Sequence, residues 1–315
     1  MTEQAQVRRY AGSDAGTPST DLIPPAPPWR VFDRSAASEP DPFRTTEAMV
    51  DAVNAALTLR RPLLLTGRPG SGKSSLIESV ARQLDLGPVL RWPITSRSTV
   101  DDALYRYDAM GRLYAERLND GEPTAISDYL RLGPLGTALL PNSRPRALLI
   151  DEIDKGDIDL PNDLLNVFER GEFEIKELAR LKNQGPFEIQ HADSIEYSPI
   201  AQGRVVCREF PFVVLTSNGE REFPPAFLRR CIRFRMPDPR EKELTAIVTA
   251  HLGEAAVGAA TDVIKTFVQR SKDPGAVATD QLMNAIYLVT AQAPDEQERR
   301  RIVDLVLAKL NSDNA

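Results

Sequence analysis

The chain has 315 residues, 42% of them apolar and 27% charged, with a formal net charge of −6. Those figures fit a soluble protein of about two domains and argue against a surface devoted to gripping nucleic acid. Two cysteines, Cys207 and Cys231, and two histidines, His191 and His251, exclude a disulfide framework or a Cys/His zinc site, and both cysteines read as small apolar residues of a reducing compartment. No apolar run approaches the roughly 20 residues that span a bilayer. The N-terminus MTEQAQVRRYAGSDAG has no apolar signal core, so a cytoplasmic location is expected.

Residues 1–42 are rich in Pro, Ser, Thr, Asp and Ala, with PPAPP at 24–28 and no helical or strand periodicity. A flexible proline-rich arm is expected there. Trp29, Val31 and Phe32 interrupt its polarity, and groups that bulky call for a surface to cover, on the folded core or on a neighbouring subunit. From Thr45, TTEAMVDAVNAALTLR sets Met49, Val50, Val53, Ala56 and Leu57 at helical spacing behind Thr46 as N-cap. RPLLLTG then reads as a strand ended by glycine, and LIESVARQLDL as a helix running to a C-cap at Gly87. ALLIDE at 147–152 and FPFVVLTSN at 210–218 are the continuous apolar runs that parallel strands need when both faces are covered. Strands alternating with helices predict a parallel sheet between helical layers.

Beyond Pro237 only helical patterns follow: REKELTAIVTAHL, ATDVIKTFVQRS, ATDQLMNAIYLVTAQ and PDEQERRRIVDLVLAKL. The expected organisation is thus an arm at 1–42, an αβα core at 43–238 and an all-helical lid at 239–315. In the last helix Asp295 and Arg299, and Glu296 and Arg300, fall four residues apart. That spacing makes the run Arg299 to Arg301 a solvated helix face rather than a nucleic-acid patch.

Gly67-Arg68-Pro69-Gly70-Ser71-Gly72-Lys73-Ser74 matches G-x-x-x-x-G-K-[ST] between the first strand and its helix. Glycines let backbone N–H groups converge on an anion at the positive end of a helix, where a side chain would block phosphate. Lys73 adds charge for the β and γ phosphates, and the Ser74 hydroxyl can coordinate Mg²⁺. The expected ligands are ATP and Mg²⁺, with Gly67, Pro69, Gly70, Ser71, Gly72, Lys73, Ser74 and Ser75 around the nucleotide and Ser74 and Asp151 toward the metal. Asp151 and Glu152 end the second apolar run. Adjacent residues leave a strand on opposite faces, yet at its C-terminal end both can reach one crevice. Asp151 is then expected to hold Mg²⁺ through water, and Glu152 to orient and deprotonate the attacking water. Asp154 and Lys155 read as the start of the next helix, with Asp154 its N-cap.

The third strand ends in Thr216-Ser217-Asn218. The Asn218 amide is either a turn former or a group reaching between Glu152 and the γ-phosphate. Downstream, Pro224-Pro225-Ala226-Phe227-Leu228-Arg229-Arg230-Cys231 carries two arginines. They are either surface charges or guanidinium donors to a neighbouring subunit's γ-phosphate.

From about residue 43 to 300 the chain resembles the MoxR-type AAA+ ATPases, on GRPGSGKS, ALLIDEIDK with NDLLNVFERGEFEI, VVLTSN and FPPAFLRRCIRF in that order. The resemblance implies a P-loop NTPase αβα sandwich with a parallel five-stranded sheet, a helical lid and a hexameric homo-oligomer with active sites shared between neighbours. It places catalytic roles on Glu152, Asn218 and Arg230, with Arg229 beside the finger position. ITSRSTVDDALYRYDAMGRL resembles the family's helix-2 insertion, where Tyr105, Tyr107 and Met110 either contact a client or pack in the core. The segment from about 176 to 206 is longer than the family pattern, and GEFEI with GRVVC reads as two arms of a hairpin. The helix VATDQLMNA carries no arginine at the second sensor position. LRWPITSRSTVDDALYRYDAMGRL and LTSNGEREFPPAFLRRCIRF are similar to ATPases that accompany von Willebrand factor A proteins in bacterial multi-gene conflict systems. The implied function is ATP-driven remodelling or regulation of such a partner. A nucleic-acid-dependent motor and a nucleotide-gated assembly scaffold are the alternatives.

Overall fold

The computed structural model describes residues 26–30, 43–118, 124–181, 184–271, 277–292 and 296–308. The arm expected at 1–42 therefore lies outside the described residues except for 26–30, as do Val31, Phe32 and Asp295. The chain packs as two compact units. Among the described residues, one comprises those of Phe43–Arg68 and Gly72–Pro237, and the other those of Met1–Pro42, Pro69–Ser71 and Asp238–Ala315.

In the first unit α1 (Glu47–Leu59) begins at Thr46, whose Oγ1 accepts from the Met49 amide at 3.3 Å, an N-cap worth about 1 kcal/mol. β1 (Leu63–Thr66) and α2 (Lys73–Gln83) follow. The expected C-cap at Gly87 is three residues late. Asp85 takes the left-handed conformation, with φ 52°, and the Leu86 amide closes back on the Ala81 carbonyl at 2.9 Å, so a non-glycine residue terminates the helix. Then come β2 (Leu90–Pro93), α3 (Val100–Leu104), β3 (Tyr105–Tyr107), α4 (Ala109–Leu118), β4 (Leu130–Leu132), α5 (Pro134–Ala138) and β5 (Ala147–Asp151). α6 (Leu160–Arg170), β6 (Glu172–Glu174), α7 (Lys176–Ala179), β7 (Phe187–Gln190), β8 (Tyr197–Ile200) and β9 (Arg204–Val206) lead to β10 (Phe212–Ser217), α8 (Pro225–Leu228) and β11 (Ile232–Arg235).

Among the described residues the principal sheet has five strands in the order β11-β1-β10-β5-β2, and every neighbouring pair is parallel. Alternate residues of the central strands feed two separate cores. Leu64, Leu148, Ile150, Val213 and Leu215 pack with Leu135 of α5, Leu164 of α6 and Phe227 of α8. Leu63, Leu65, Leu149 and Val214 pack with Val53 of α1 and Ile77 of α2. This is the αβα sandwich, and it explains why β1, β5 and β10 read as unbroken apolar runs.

A second, four-stranded sheet runs β3-β4-β7-β8. It is built from the segment after β2 and from the long segment 176–206, which places a hairpin, β7 and β8, between the arms β6 and β9. GEFEI and GRVVC do pair, with Phe173 opposite Val205. Tyr105 and Tyr107 are half-buried against the core, and the Tyr105 hydroxyl accepts from the Lys176 amide at 3.2 Å. Met110, on α4, is 58% exposed. Core packing therefore claims the two tyrosines and leaves the methionine at the surface.

The second unit holds α9 (Glu241–Leu252), the short α10 (Glu254–Ala259), α11 (Thr261–Arg270), α12 (Thr279–Gln292) and α13 (Glu296–Val306). They close around Leu244, Val248, Ile264, Phe267, Leu282, Ile286 and Leu307. Trp29 docks in this unit. Its Nε1 donates to Asn284 Oδ1 at 3.2 Å and its ring meets Tyr287 edge-on at 5.7 Å. Arg299 is not part of a purely solvated face, because its Nε and Nη2 bond the Asp262 carboxylate at 2.9 and 2.5 Å and tie α13 to α11. That guanidinium holds the Asp262 carboxyl below its ordinary value. Arg300 does pair with Glu296, at 2.5 Å.

Two glycines test the packing in opposite directions. A Cβ on buried Gly136 would stand 1.9 Å from the Leu104 carbonyl oxygen, whereas one on Gly258 of α10 would meet nothing within 4 Å. Gly136→Ala is expected to lower unfolding stability by about 3 kcal/mol through overpacking, and Gly258→Ala to raise it by about 0.5–1 kcal/mol through helix propensity. Denaturant unfolding of each variant checks both signs.

Candidate active site

All five principal strands run in one direction, so β1, β5 and β10 end at the same rim, where open α/β sheets carry their ligands. The loop after β1 turns through Gly70 and Gly72, with φ 74° and 84°, and Gly72 is the N-cap of α2. A side chain at Gly72 would meet the Phe43 ring at 2.8 Å. Gly67 N donates to the Ser217 carbonyl at 3.2 Å, fixing the start of the loop to the end of β10. Pro69 and Gly70 are exposed, while Ser74 and Ser75 lie half-buried in the first turn of α2.

Lys73 is only 8% exposed. Its Nζ donates to Gly67 O at 2.8 Å, Arg68 O at 2.9 Å and Asn218 Oδ1 at 2.8 Å. Burial pushes its pKa below the ordinary lysine value, and the negative charges of Asp151, Asp154 and Glu152 oppose that shift. The site thus keeps a buried cation beside three carboxylates.

The end of β10 organises the carboxylates. Thr216, fully buried, donates from Oγ1 to Asp151 Oδ1 at 2.5 Å and accepts from the Glu152 amide at 2.8 Å. Glu152 has left the strand conformation for φ 58°, ψ 50°, a left-handed geometry costing about 1–2 kcal/mol for a residue with a Cβ. Its Oε1 accepts from Asn218 Nδ2 at 3.3 Å, and its Oε2 from Lys155 Nζ at 2.6 Å. The same bond raises the Lys155 pKa. Asn218 is accordingly more than a turn former: its amide oxygen receives Lys73 and its amide nitrogen reaches Glu152. Only that orientation satisfies both partners, since an ammonium cannot accept and a carboxylate cannot donate.

Asp154 corrects the sequence reading. It lies in a 3-10 turn, Ile153–Lys155, and α6 begins only at Leu160, after Asp159. With 3% exposure, its Oδ2 accepts from Ser217 Oγ at 2.9 Å, Asn218 N at 3.0 Å and Glu220 N at 3.1 Å. It clamps the turn that presents Asn218. Sequence alone does not reveal this part for Thr216 or Asp154. The signal available was the run of polar residues, TSN and DEID, at the ends of two adjacent apolar strands.

Arg229 and Arg230 follow α8. Arg230 forms an ion pair with Glu169 of α6 and donates from Nη1 to Ala226 O at 3.1 Å. Arg229 is exposed, and its carbonyl accepts from Arg61 Nη1 at 3.1 Å. Among the described residues neither side chain bonds Lys73, Glu152 or Asn218.

The residues present fit a magnesium nucleotide. Ser71 Oγ is shut off from solvent without a hydrogen-bond partner among the described residues, and a buried hydroxyl of that kind calls for an acceptor such as a phosphate oxygen. Among the described residues no group of three or more His, Cys, Asp or Glu side chains is placed to hold a metal ion. A hard cation beside Ser74 and Asp151 would need phosphate and water oxygens to complete its shell, which is the habit of Mg²⁺. The cysteines take no part. Burial pushes the Cys231 thiol up to about 12 and raises that of Cys207.

A family model described as AAA domain (dynein-related subfamily) matches residues 62–231, more than half of the chain, including the phosphate loop, both strand-end clusters and both arginines. No curated protein matches the chain. Among solved structures, NtrX from Brucella abortus in complex with ADP is 16% identical with a TM-score of 0.44, over 88% of this chain and 58% of that one. The chain thus spans under two thirds of that protein's length.

The clamp at Asp154 has a measurable weight. Asp154→Ala leaves three donors without their acceptor and is expected to cost about 2–3 kcal/mol, whereas Asp154→Asn, which keeps an oxygen, is expected to cost about 1 kcal/mol. Denaturant unfolding that shows equal losses for the two contradicts the assignment.

Proposed function

The chain belongs to the AAA domain family, in its dynein-related subfamily, and on that premise we propose that it is a Mg²⁺-dependent ATP hydrolase of the MoxR type. It works as a homo-oligomeric ring, a hexamer, and remodels or regulates a protein partner that carries a von Willebrand factor A domain. The observation supporting the hydrolytic half most strongly is the Asn218 amide, which joins Lys73 to Glu152.

The contacts support the following roles. The main chain through Gly70, Ser71 and Gly72 donates to phosphate oxygens, with the Ser71 hydroxyl adding a further donor. Lys73 places its charge on the β and γ phosphates. Ser74 and Asp151 would hold Mg²⁺, which would neutralise charge on the phosphates. Thr216 fixes which Asp151 oxygen stays engaged with the protein. Glu152 takes the proton of the attacking water, and its ion pair with Lys155 must loosen for the carboxylate to act at full basicity. Arg230 matches the finger that completes a neighbour's site, and Arg229, the exposed member of the pair, stands beside it.

Support for a protein client comes from α4. Met110, Leu113, Tyr114 and Leu118 are 58%, 42%, 58% and 84% exposed, and their spacing gathers them on one face of the helix. Apolar residues so grouped suit a protein partner better than a nucleic acid. The net charge of −6 points the same way. A von Willebrand factor A partner rests on the sequence resemblance of the segments around α3, α4 and α8.

Turnover measurements test this reading. Lys73→Ala is expected to lose nucleotide binding. Glu152→Gln is expected to retain ATP with turnover reduced at least ~100-fold, and Arg230→Ala to bind nucleotide with turnover reduced ~1000-fold. Partial recovery on mixing the last two variants places the finger across a subunit interface, and no recovery argues against it. Equal low phosphate release by wild type and Glu152→Gln identifies a nucleotide-gated scaffold instead. Stimulation by DNA and not by a von Willebrand factor A partner identifies a nucleic-acid motor.

A further inference from the structure

Beside the principal sheet, and sharing no residue with the phosphate loop or its carboxylates, lies a cavity of about 540 Å³. Its volume is that of a small-molecule site. Its walls come from β2 and the loop after it, from α3, and from β3 and β4 of the second sheet. Four arginines line it, Arg91, Arg97, Arg106 and Arg131, against a single carboxylate, Asp102. In a chain of net charge −6 that is a marked local inversion of sign.

Three of the four arginines have no carboxylate partner among the described residues. Arg91 pairs with Glu78, and Asp102 accepts the Thr99 hydroxyl at 2.7 Å as part of the α3 N-cap. Arg131 is held by two backbone carbonyls, His191 O at 3.3 Å and Ala192 O at 3.2 Å, so its charge is positioned without being neutralised. Arg97 and Arg106 have no side-chain hydrogen bond or ion pair among the described residues. Arg106 and Arg131 are moreover direct partners in the antiparallel pairing of β3 with β4, which puts two like charges on one face at adjacent positions. Such a pair is unfavourable by itself, and an anion held between the two guanidinium groups relieves it. Guanidinium groups recognise phosphate by paired N–H donors in one plane, and the Ser98 hydroxyl at the wall adds a further donor.

We propose that this cavity is a second ligand site, separate from the phosphate loop, for a small anion bearing two or more phosphoryl groups. Pro93, one of its wall residues, pairs in register with Asp151 across β2 and β5, and the Ile94 amide donates to the Asp151 carbonyl at 2.9 Å. An occupant of the cavity would thus touch the strand that pairs with the candidate metal ligand.

The test titrates the full chain carrying Lys73→Ala, which disables the phosphate loop, with sodium tripolyphosphate in a calorimeter. Saturable uptake near one per chain is expected, weakened about tenfold by each of Arg97→Ala and Arg106→Ala, with Arg97→Gln and Arg106→Gln as second variants of the same exposed positions. Affinity is expected to fall as salt rises. Absence of saturable heat, or uptake unchanged in the arginine variants, overturns the proposal. So does binding of a single-stranded oligonucleotide or of polyglutamate at these arginines by a protein that ignores tripolyphosphate.

Discussion

Everything at the rim of this protein depends on how the last residues of β10 are tied to the last residues of β5. Thr216 bonds Asp151 and the Glu152 amide, Ser217 bonds Asp154, and Asn218 bonds Glu152 and Lys73. Three consecutive polar residues thus each fix a different group of the candidate site. Parallel pairing of β10 with β5 supplies the register, and the two cores on either face of the sheet supply the rigidity. A strand this buried tolerates polar atoms only when each is bonded, so the cluster is held in place by the cost of disrupting it.

The electrostatics follow from the same compactness. Lys73 is buried with its ammonium facing carbonyl and amide oxygens, and burial alone would favour its neutral form. Three nearby carboxylates restore part of the balance, which makes the group responsive to any new negative charge placed beside it. Glu152, held by Asn218 on one oxygen and Lys155 on the other, sits in a left-handed backbone conformation that few residues with a Cβ adopt. Local strain at that position is consistent with a site whose geometry serves chemistry ahead of stability.

Much of this was legible in the residues. The central strands β1, β5 and β10 announced themselves as continuous apolar runs, and the phosphate loop by its glycines between strand and helix. The edge strands did not. β2 buries only Leu90 and Trp92 of its four residues, and β11 alternates half-buried with exposed positions, so neither exceeds what a loop near the core would show. α2 caps at Leu84 and not at Gly87 because a backbone closure, invisible to composition, stabilises the left-handed Asp85 that follows. Asp154 reads locally as a helix cap because local pattern ranks a nearby helix above a partner 63 residues away. The arginine cavity was hidden for a related reason: its four cations come from scattered positions, and an average charge of −6 masks them.

Every proposed role requires that the loop from Gly67 to Ser75 receive the phosphates of a magnesium nucleotide. Calorimetric titration of the folded wild-type chain with ATP and Mg²⁺ measures it directly. Saturable heat that depends on the metal is the predicted result. A flat titration from a protein shown to be folded contradicts the account at its root.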